Sequence, residues 1–297
     1  MSKNKIVIGT WPLSGDLGAV ALSSIEKILL TAYDHGLREF DTAPSYGNGF
    51  MEFCMGKVFK NKKDVKINTK AGNIPFKGKS FNIENIKKSV EQSLKRLNIK
   101  RINVLFLHNP RKDVESYGEL IRFLEELKSS GIIEHTGLSM AKGFDYKDHV
   151  NLMEFDYIQN DVNLIYTEPL SIDSKIKLMA RSPLASGILS GKLTEETTFP
   201  SDDQRSGWLK GERLHSILKR VRVLKELSDR DLPSLARGFV LSEERIDKVI
   251  FGVKKISHVE DLVNDIENID FPKKLSEKIK ELNKEDFYLK NERHLGY

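Results

Sequence analysis

The chain has 297 residues, of which 39% are hydrophobic and 31% charged, and 48 basic against 43 acidic side chains leave a net charge of +5. That balance excludes a disordered polar chain, and a chain of this length buries about three quarters of its unfolded surface without a metal or disulfide staple. The basic surplus is spread along the sequence, which suits solvated surface or a phosphate-bearing ligand and shows no nucleic-acid stripe.

The opening MSKNKIVIGTW runs straight into a strand pattern, too short for the apolar core of a signal peptide. No apolar run reaches a membrane span, so a cytoplasmic protein is expected. Strands are predicted over KIVIGT (5–10), REFDTA (38–43), VKINTK (65–70), INVLFLH (102–108), IEHTGLS (133–139), FDYIQN (155–160), IKLMARS (176–182) and KVIFGV (248–253). Helical periods fall between most of them. ALSSIEKILLTAYDHG puts Leu22, Ile25, Leu29 and Ala32 on one stripe and stops at Gly36. The helical GFMEFCMGKVF holds Cys54, the only cysteine, which is read as a small buried hydrophobe rather than a nucleophile. Asn82 is placed to cap a helix carrying Ile86, Val90, Leu94 and Leu97, and YGELIRFLEELKSSG closes at Gly131. Between Asn163 and Lys175 lie eleven residues including Pro169, so the sixth crossover is expected to be short or irregular. The polar stretch 192–211 is long enough to act as a lid after strand seven, and the tail 272–297 carries one stripe of Leu275, Ile279 and Leu282 before a charged end. Parallel strands need long crossovers, so eight alternating units predict an α/β protein of the (β/α)8 TIM-barrel class, one domain over 1–297.

In such a barrel the C-terminal strand ends carry the chemistry. Asp41 and Tyr46 follow the second strand, Lys70 ends the third and His108 ends the fourth. Neighbouring strands lie about 5 Å apart, so four hydrogen-bonding or ionisable groups can converge there. Each alone reads more simply as a surface lysine or a satisfied histidine, and together they read as a buried ion-pair network or as a catalytic centre.

DTAPSYGNG, NTKAG and LFLHNP, in that order and spacing, resemble the active-site motifs of the aldo-keto reductases. GTW (9–11), GLS (137–139), QNDVN (159–163) and SPLASGILSGK (182–192) resemble further segments of that family, and the similarity covers essentially the whole chain. The resemblance implies an eight-stranded barrel, an extended nicotinamide cofactor and reversible carbonyl–alcohol chemistry. It maps the family's catalytic residues onto Asp41, Tyr46, Lys70 and His108, with Trp11, Tyr46 and His108 against the substrate. It places cofactor contacts at Thr10, Trp11, Asp41, Ser139, Gln159, Arg181, Ser182, Leu184, Ser186, Gly187, Leu189, Lys192, Gly252, Lys254, Lys255, His258 and Asp261.

Carbonyl reduction needs a hydride, which no side chain supplies, and a proton for the developing alkoxide. Tyr46 is the expected donor. A Lys70 cation about 4 Å away at an effective dielectric near 20 favours phenolate by roughly 4 kcal/mol, and this charge effect is expected to outweigh desolvation of the phenol. Asp41 would hold Lys70, and His108 would orient the substrate oxygen. No GxGxxG follows the first strand, so a Rossmann site is not signalled. Lys254 and Lys255 favour NADP(H), with NAD(H) as the alternative.

Three positions depart from the family pattern. Met140 stands where many members have Asn, Arg181 where many have an aromatic ring, and Leu262 where an adenine-binding Asn is common. A guanidinium can stack like a ring but adds charge. Trp208 and Arg205 lie in the lid stretch, where Arg205 hints at an anionic group. The expected partner is a small carbonyl or sugar, handled by a monomer or small homo-oligomer without nucleic acid, membrane or metal. Two rival readings remain: a nucleotide-binding barrel serving as a redox-sensing or regulatory subunit, and a lyase or epimerase with retained cofactor.

Overall fold

The computed structural model describes residues 3–289 apart from 112, 113, 115, 147, 148 and 269, so the end of the charged tail lies outside the described residues. Eight parallel strands form a closed barrel: β1 (Ile6–Gly9), β2 (Glu39–Asp41), β3 (Lys66–Ala71), β4 (Ile102–His108), β5 (Ile133–Ser139), β6 (Tyr157–Asp161), β7 (Lys177–Arg181) and β8 (Lys248–Gly252). Each strand pairs with its sequence neighbour, and β8 closes onto β1 through Ile6↔Val249 to Gly9↔Gly252. All eight predicted strands are present: β4 and β5 match the predicted runs residue for residue, and the others differ by one or two residues at their ends. The register aligns Gly9 with Asp41 and His108 with Ser139, and Ser139 in turn with Gln159, at one rim.

The helices are α1 (Leu22–Asp34), α2 (Phe50–Val58), α3 (Ile83–Leu97), α4 (Tyr117–Ser129), α5 (Gly211–Lys225), α6 (Leu232–Ser242), α7 (Ile256–Glu267) and α8 (Lys273–Lys284). Asn82 caps α3 as expected, accepting from the Asn85 N–H at 2.9 Å. On α1, Ile25, Ile28, Leu29 and Ala32 are buried, whereas Leu22, expected on that stripe, is exposed in the first turn. Cys54 is buried and unbridged, as its apolar surroundings suggested. α2 and α3 touch closely at Gly56, where an added Cβ would lie 2.2 Å from the Arg96 carbonyl oxygen.

Two crossovers carry no α-helix among the described residues. The sixth, between β6 and β7, has only the 3-10 turn Glu168–Ser171, as its length and Pro169 required. The fifth, between β5 and β6, has only the turn Leu152–Glu154. Between these irregular segments lies a cavity of about 630 Å³ walled by Phe144, Tyr146, Tyr166 and Ile172, with Met140 and Asn160 on the barrel side. A small antiparallel hairpin, Asn73–Ile74 with Gly78–Lys79, follows β3 and was not signalled by the sequence.

Val7, Val104, Phe106, Tyr157, Met179 and Ile250 form one apolar cluster, and two larger clusters join strand and helix residues. A polar group links neighbouring strands nearer their N-terminal ends: Asn68 Nδ2 and Lys248 Nζ donate to Glu39 at 2.9 and 2.7 Å. Such fully paired polar atoms hold the strands in register at the end away from the chemistry. No helix among the described residues is long and apolar enough to cross a membrane.

Candidate active site

The β-strand ends deliver the four expected side chains to one place. Lys70 is 1% exposed, and its ammonium donates to Asp41 Oδ1 at 2.6 Å, to the Thr42 carbonyl at 2.9 Å and to the Tyr46 hydroxyl at 3.2 Å. A cation so thoroughly buried is tolerated because each of its three N–H groups has an acceptor. Gln159 Nε2 donates to the other Asp41 oxygen at 3.0 Å, which fixes the carboxylate that fixes the lysine. His108 meets Tyr46 edge to face with ring centroids 6.2 Å apart. Its Nδ1 is buried and has no hydrogen-bond partner among the described residues.

The electrostatics correct one expectation. Burial raises the Tyr46 phenol above its ordinary 10.0, and the Lys70 charge and hydrogen bond pull it down without overcoming that penalty. The charge effect was expected to outweigh desolvation of the phenol, but in the folded site desolvation is the larger of the two. Burial opposes the Lys70 charge too, but Asp41 and Tyr46 more than offset it and lift the ammonium above 10.5. Burial first, then the cations Lys70, Arg181 and Lys79, hold His108 well below 6.5. At neutral pH the cluster is therefore a neutral phenol hydrogen-bonded to a fixed ammonium, beside a neutral imidazole.

A groove of about 380 Å³ starts at Asp41 and Tyr46 and runs across the ends of β6, β7 and β8 to α6 and α7. Of the cofactor positions expected from sequence, it is lined by Trp11, Asp41, Gln159, Arg181, Ser182, Leu184, Ser186, Gly187, Lys192, Gly252, Lys254, His258 and Asp261. Leu262 also lines it. Four expected positions lie off the lining. Thr10 is fully buried with its hydroxyl on the Asp41 carbonyl at 3.0 Å, and Leu189 belongs to the apolar core. Ser139 is buried behind Arg181, and Lys255 is exposed at the start of α7. Gly252 suits the wall because a Cβ there would meet Pro12 at 2.8 Å.

The loop after β7 curls tightly. Ser182, Ala185 and Ser186 all adopt left-handed φ near +50°, at 56°, 49° and 55°. Three non-glycine residues in that region store strain where the groove is built. The stretch expected as a lid is tied down: Leu17 bridges Asp203, Gln204 N–H donates to the Asp16 carbonyl at 3.1 Å, and Lys254 Nζ donates to the Leu17 carbonyl. Arg205, expected to hint at an anionic ligand, lines the groove and is paired with Asp203 at 2.6 Å. Trp208 packs half-buried against the core, as a loop anchor. Sequence reading missed Arg237 on α6, which lines the groove and pairs with Asp265. Its only signal was a cation one helical stripe from Pro233.

Arg181 closes the tetrad end of the groove. Its guanidinium donates to Asp161 Oδ1 at 3.1 Å, Ser139 Oγ at 2.6 Å, Asn109 Oδ1 at 3.2 Å and the Met140 carbonyl at 2.8 Å. Among the described residues no cluster of His, Cys, Asp or Glu could hold a metal ion.

The model of the aldo/keto reductase family matches residues 5–284. The chain is 30% identical over 281 residues to the aldo-keto reductase YhdN of Bacillus subtilis, covering 87% of this chain and 84% of that one. It is 24% identical over 280 residues to the NADH-specific methylglyoxal reductase of Escherichia coli, covering 84% and 85%. The structure of the glycerol dehydrogenase AKR11B4 from Gluconobacter oxydans superposes with a TM-score of 0.77 at 22% identity, covering 100% of this chain and 99% of that one, which shows the same fold. With the family model spanning nearly the whole barrel, the chain belongs to the aldo/keto reductase family and is an NAD(P)H-dependent oxidoreductase.

Proposed function

We propose that the groove holds NADP(H) with its nicotinamide at the Tyr46 end, and that the protein interconverts a small carbonyl or sugar with its alcohol. The observation that carries this is the Lys70 ammonium held between Asp41 and Tyr46 at the groove mouth. The residues fit the cofactor: an open channel leads from the tetrad to Lys192, Lys254 and Arg237, cations suited to phosphate groups. Lys254, on the groove lining, supports NADP(H) through a 2′-phosphate, while the NADH-specific relative keeps NAD(H) as the alternative.

When bound, the reduced nicotinamide supplies the hydride. Tyr46, neutral because burial raises its pKa, donates its O–H to the substrate oxygen as negative charge develops there. Lys70 then stabilises the phenolate left behind at 3.2 Å, and Asp41 keeps Lys70 charged and aimed. His108, held neutral and edge-on to the Tyr46 ring, orients the substrate oxygen. In the reverse direction the same phenolate accepts the alcohol proton. Trp11 forms part of the pocket wall, its indole N–H fixed on Asp16 at 2.8 Å. The family match and the reductase relatives do not favour the regulatory-subunit or lyase readings.

Replacing Tyr46 with Phe tests the reading. Aldehyde-dependent loss of NADPH absorbance should collapse while NADPH still quenches the protein fluorescence; unchanged turnover would remove Tyr46 from the role. Competing NADPH and NADH titrations decide the 2′-phosphate.

A further inference from the structure

Arg181 is one of three departures from the family pattern, and its geometry gives the departure a consequence. The guanidinium lines the groove beside Asp41, Tyr46 and Gln159. It is held from four sides, so it is a fixed cation rather than a mobile surface group. Its counter-ion Asp161 is 2% exposed, does not line the groove, and is shared with Lys142 at 3.5 Å from the other side. Toward the groove, therefore, the cation is near and the anion is behind it. The remaining charged pair at this end, Asp41 with Lys70, cancels within 2.6 Å, and burial keeps His108 neutral.

We propose that Arg181 makes the groove discriminate between the redox states of its cofactor, binding the neutral reduced nicotinamide more tightly than the cationic oxidised ring. The inference rests on the nicotinamide lying at the Tyr46 end. The two cofactor forms share every phosphate, ribose and adenine contact, so those cancel in the ratio of their dissociation constants. What remains is the ring charge against a guanidinium whose counter-ion faces away. A bound oxidised ring is raised in energy, which makes it a stronger hydride acceptor and speeds departure of the oxidised cofactor once a carbonyl has been reduced.

The experiment uses the full-length protein and titrates NADPH and NADP+ separately, reading quenching of Trp11, which lines the groove, with calorimetry as a second readout. Arg181→Met is expected to lower the ratio Kd(NADP+)/Kd(NADPH) about tenfold, the effect of one nearby charge at an effective dielectric near 20 being largely but not fully offset by Asp161 at 3.1 Å from the guanidinium. Arg181→Lys, which keeps the charge, is expected to retain most of the ratio. Lys142→Met leaves Asp161 wholly to Arg181 and is expected to lower the ratio less, in the same direction. That variant carries the test should Arg181→Met not fold. A ratio unchanged within twofold in folded Arg181→Met, or in Lys142→Met where Arg181→Met does not fold, overturns the inference while leaving cofactor binding intact. If neither form binds the wild-type chain, the cofactor reading itself fails and takes the inference with it.

Discussion

Lys70→Met is the most informative single change, because one ammonium serves both stability and chemistry. At 3.2 Å and an effective dielectric near 20, the charge favours a phenolate at Tyr46 by about 5 kcal/mol. Structural relaxation and water take back part of that, so kcat for carbonyl reduction should fall roughly a thousandfold. The substitution also strands a carboxylate. Asp41 keeps the Gln159 amide at 3.0 Å but loses its buried counter-ion, at a cost of about 3–5 kcal/mol. The double variant Asp41→Asn/Lys70→Met removes the stranded charge, and it should recover most of the melting temperature and none of the turnover. The assays are steady-state loss of NADPH absorbance with a panel of aldehydes, and thermal unfolding followed by circular dichroism. A Lys70→Met protein with kcat within tenfold of wild type would show that Tyr46 does not depend on that cation, and the proposed mechanism would be refuted.

The pH profile of reduction should be flat from pH 7 to 9. His108 is held well below 6.5 and Tyr46 above 10.0, so neither changes charge in that window; an inflection in log kcat near 6.5 would contradict the assignment. Lys5 sits at about 8 because burial outweighs the nearby Glu243, Asp247 and Glu244, and its ammonium donates to the Leu241 and Glu243 carbonyls. Its folded value lies below the ordinary 10.5, so the unfolded chain binds more protons between those limits. Unfolding free energy should therefore rise with pH from 8 to 10.5 more steeply in wild type than in Lys5→Met, and equal slopes in chemical denaturation would contradict this. Gly56→Ala forces a Cβ within 2.2 Å of the Arg96 carbonyl and should cost about 1–3 kcal/mol by prising α2 from α3, seen as a lower denaturation midpoint with the barrel intact.

Much of the fold was legible because its signal is local. Runs such as INVLFLH and KVIFGV mark β4 and β8, and the Asn82 cap and the Gly131 stop mark helix ends, since backbone chemistry at those points depends on a few adjacent residues. The tetrad was legible because strand ends of a barrel share one rim. What escaped is set by distant partners. Leu22 looks like a stripe residue until the first turn of α1 is found facing solvent. Thr10 looks like a cofactor contact until its hydroxyl is found on the Asp41 carbonyl. The direction of the Tyr46 shift turns on how much water the folded pocket excludes, which adjacent residues do not encode. The hairpin at Asn73–Lys79 has strands of two residues each, too short for an alternating pattern to register.

The bare flank of the barrel has a mechanical consequence. Among the described residues the two crossovers flanking β6 are irregular chain instead of helices, and irregular chain carries fewer internal backbone hydrogen bonds per residue. Transient opening should then be one-sided, with amides facing this flank trading hydrogen for deuterium before those under α1 to α4. A protease given limited time should nick between 163 and 176 and leave two pieces that still migrate together, because the circular sheet is joined across the cut.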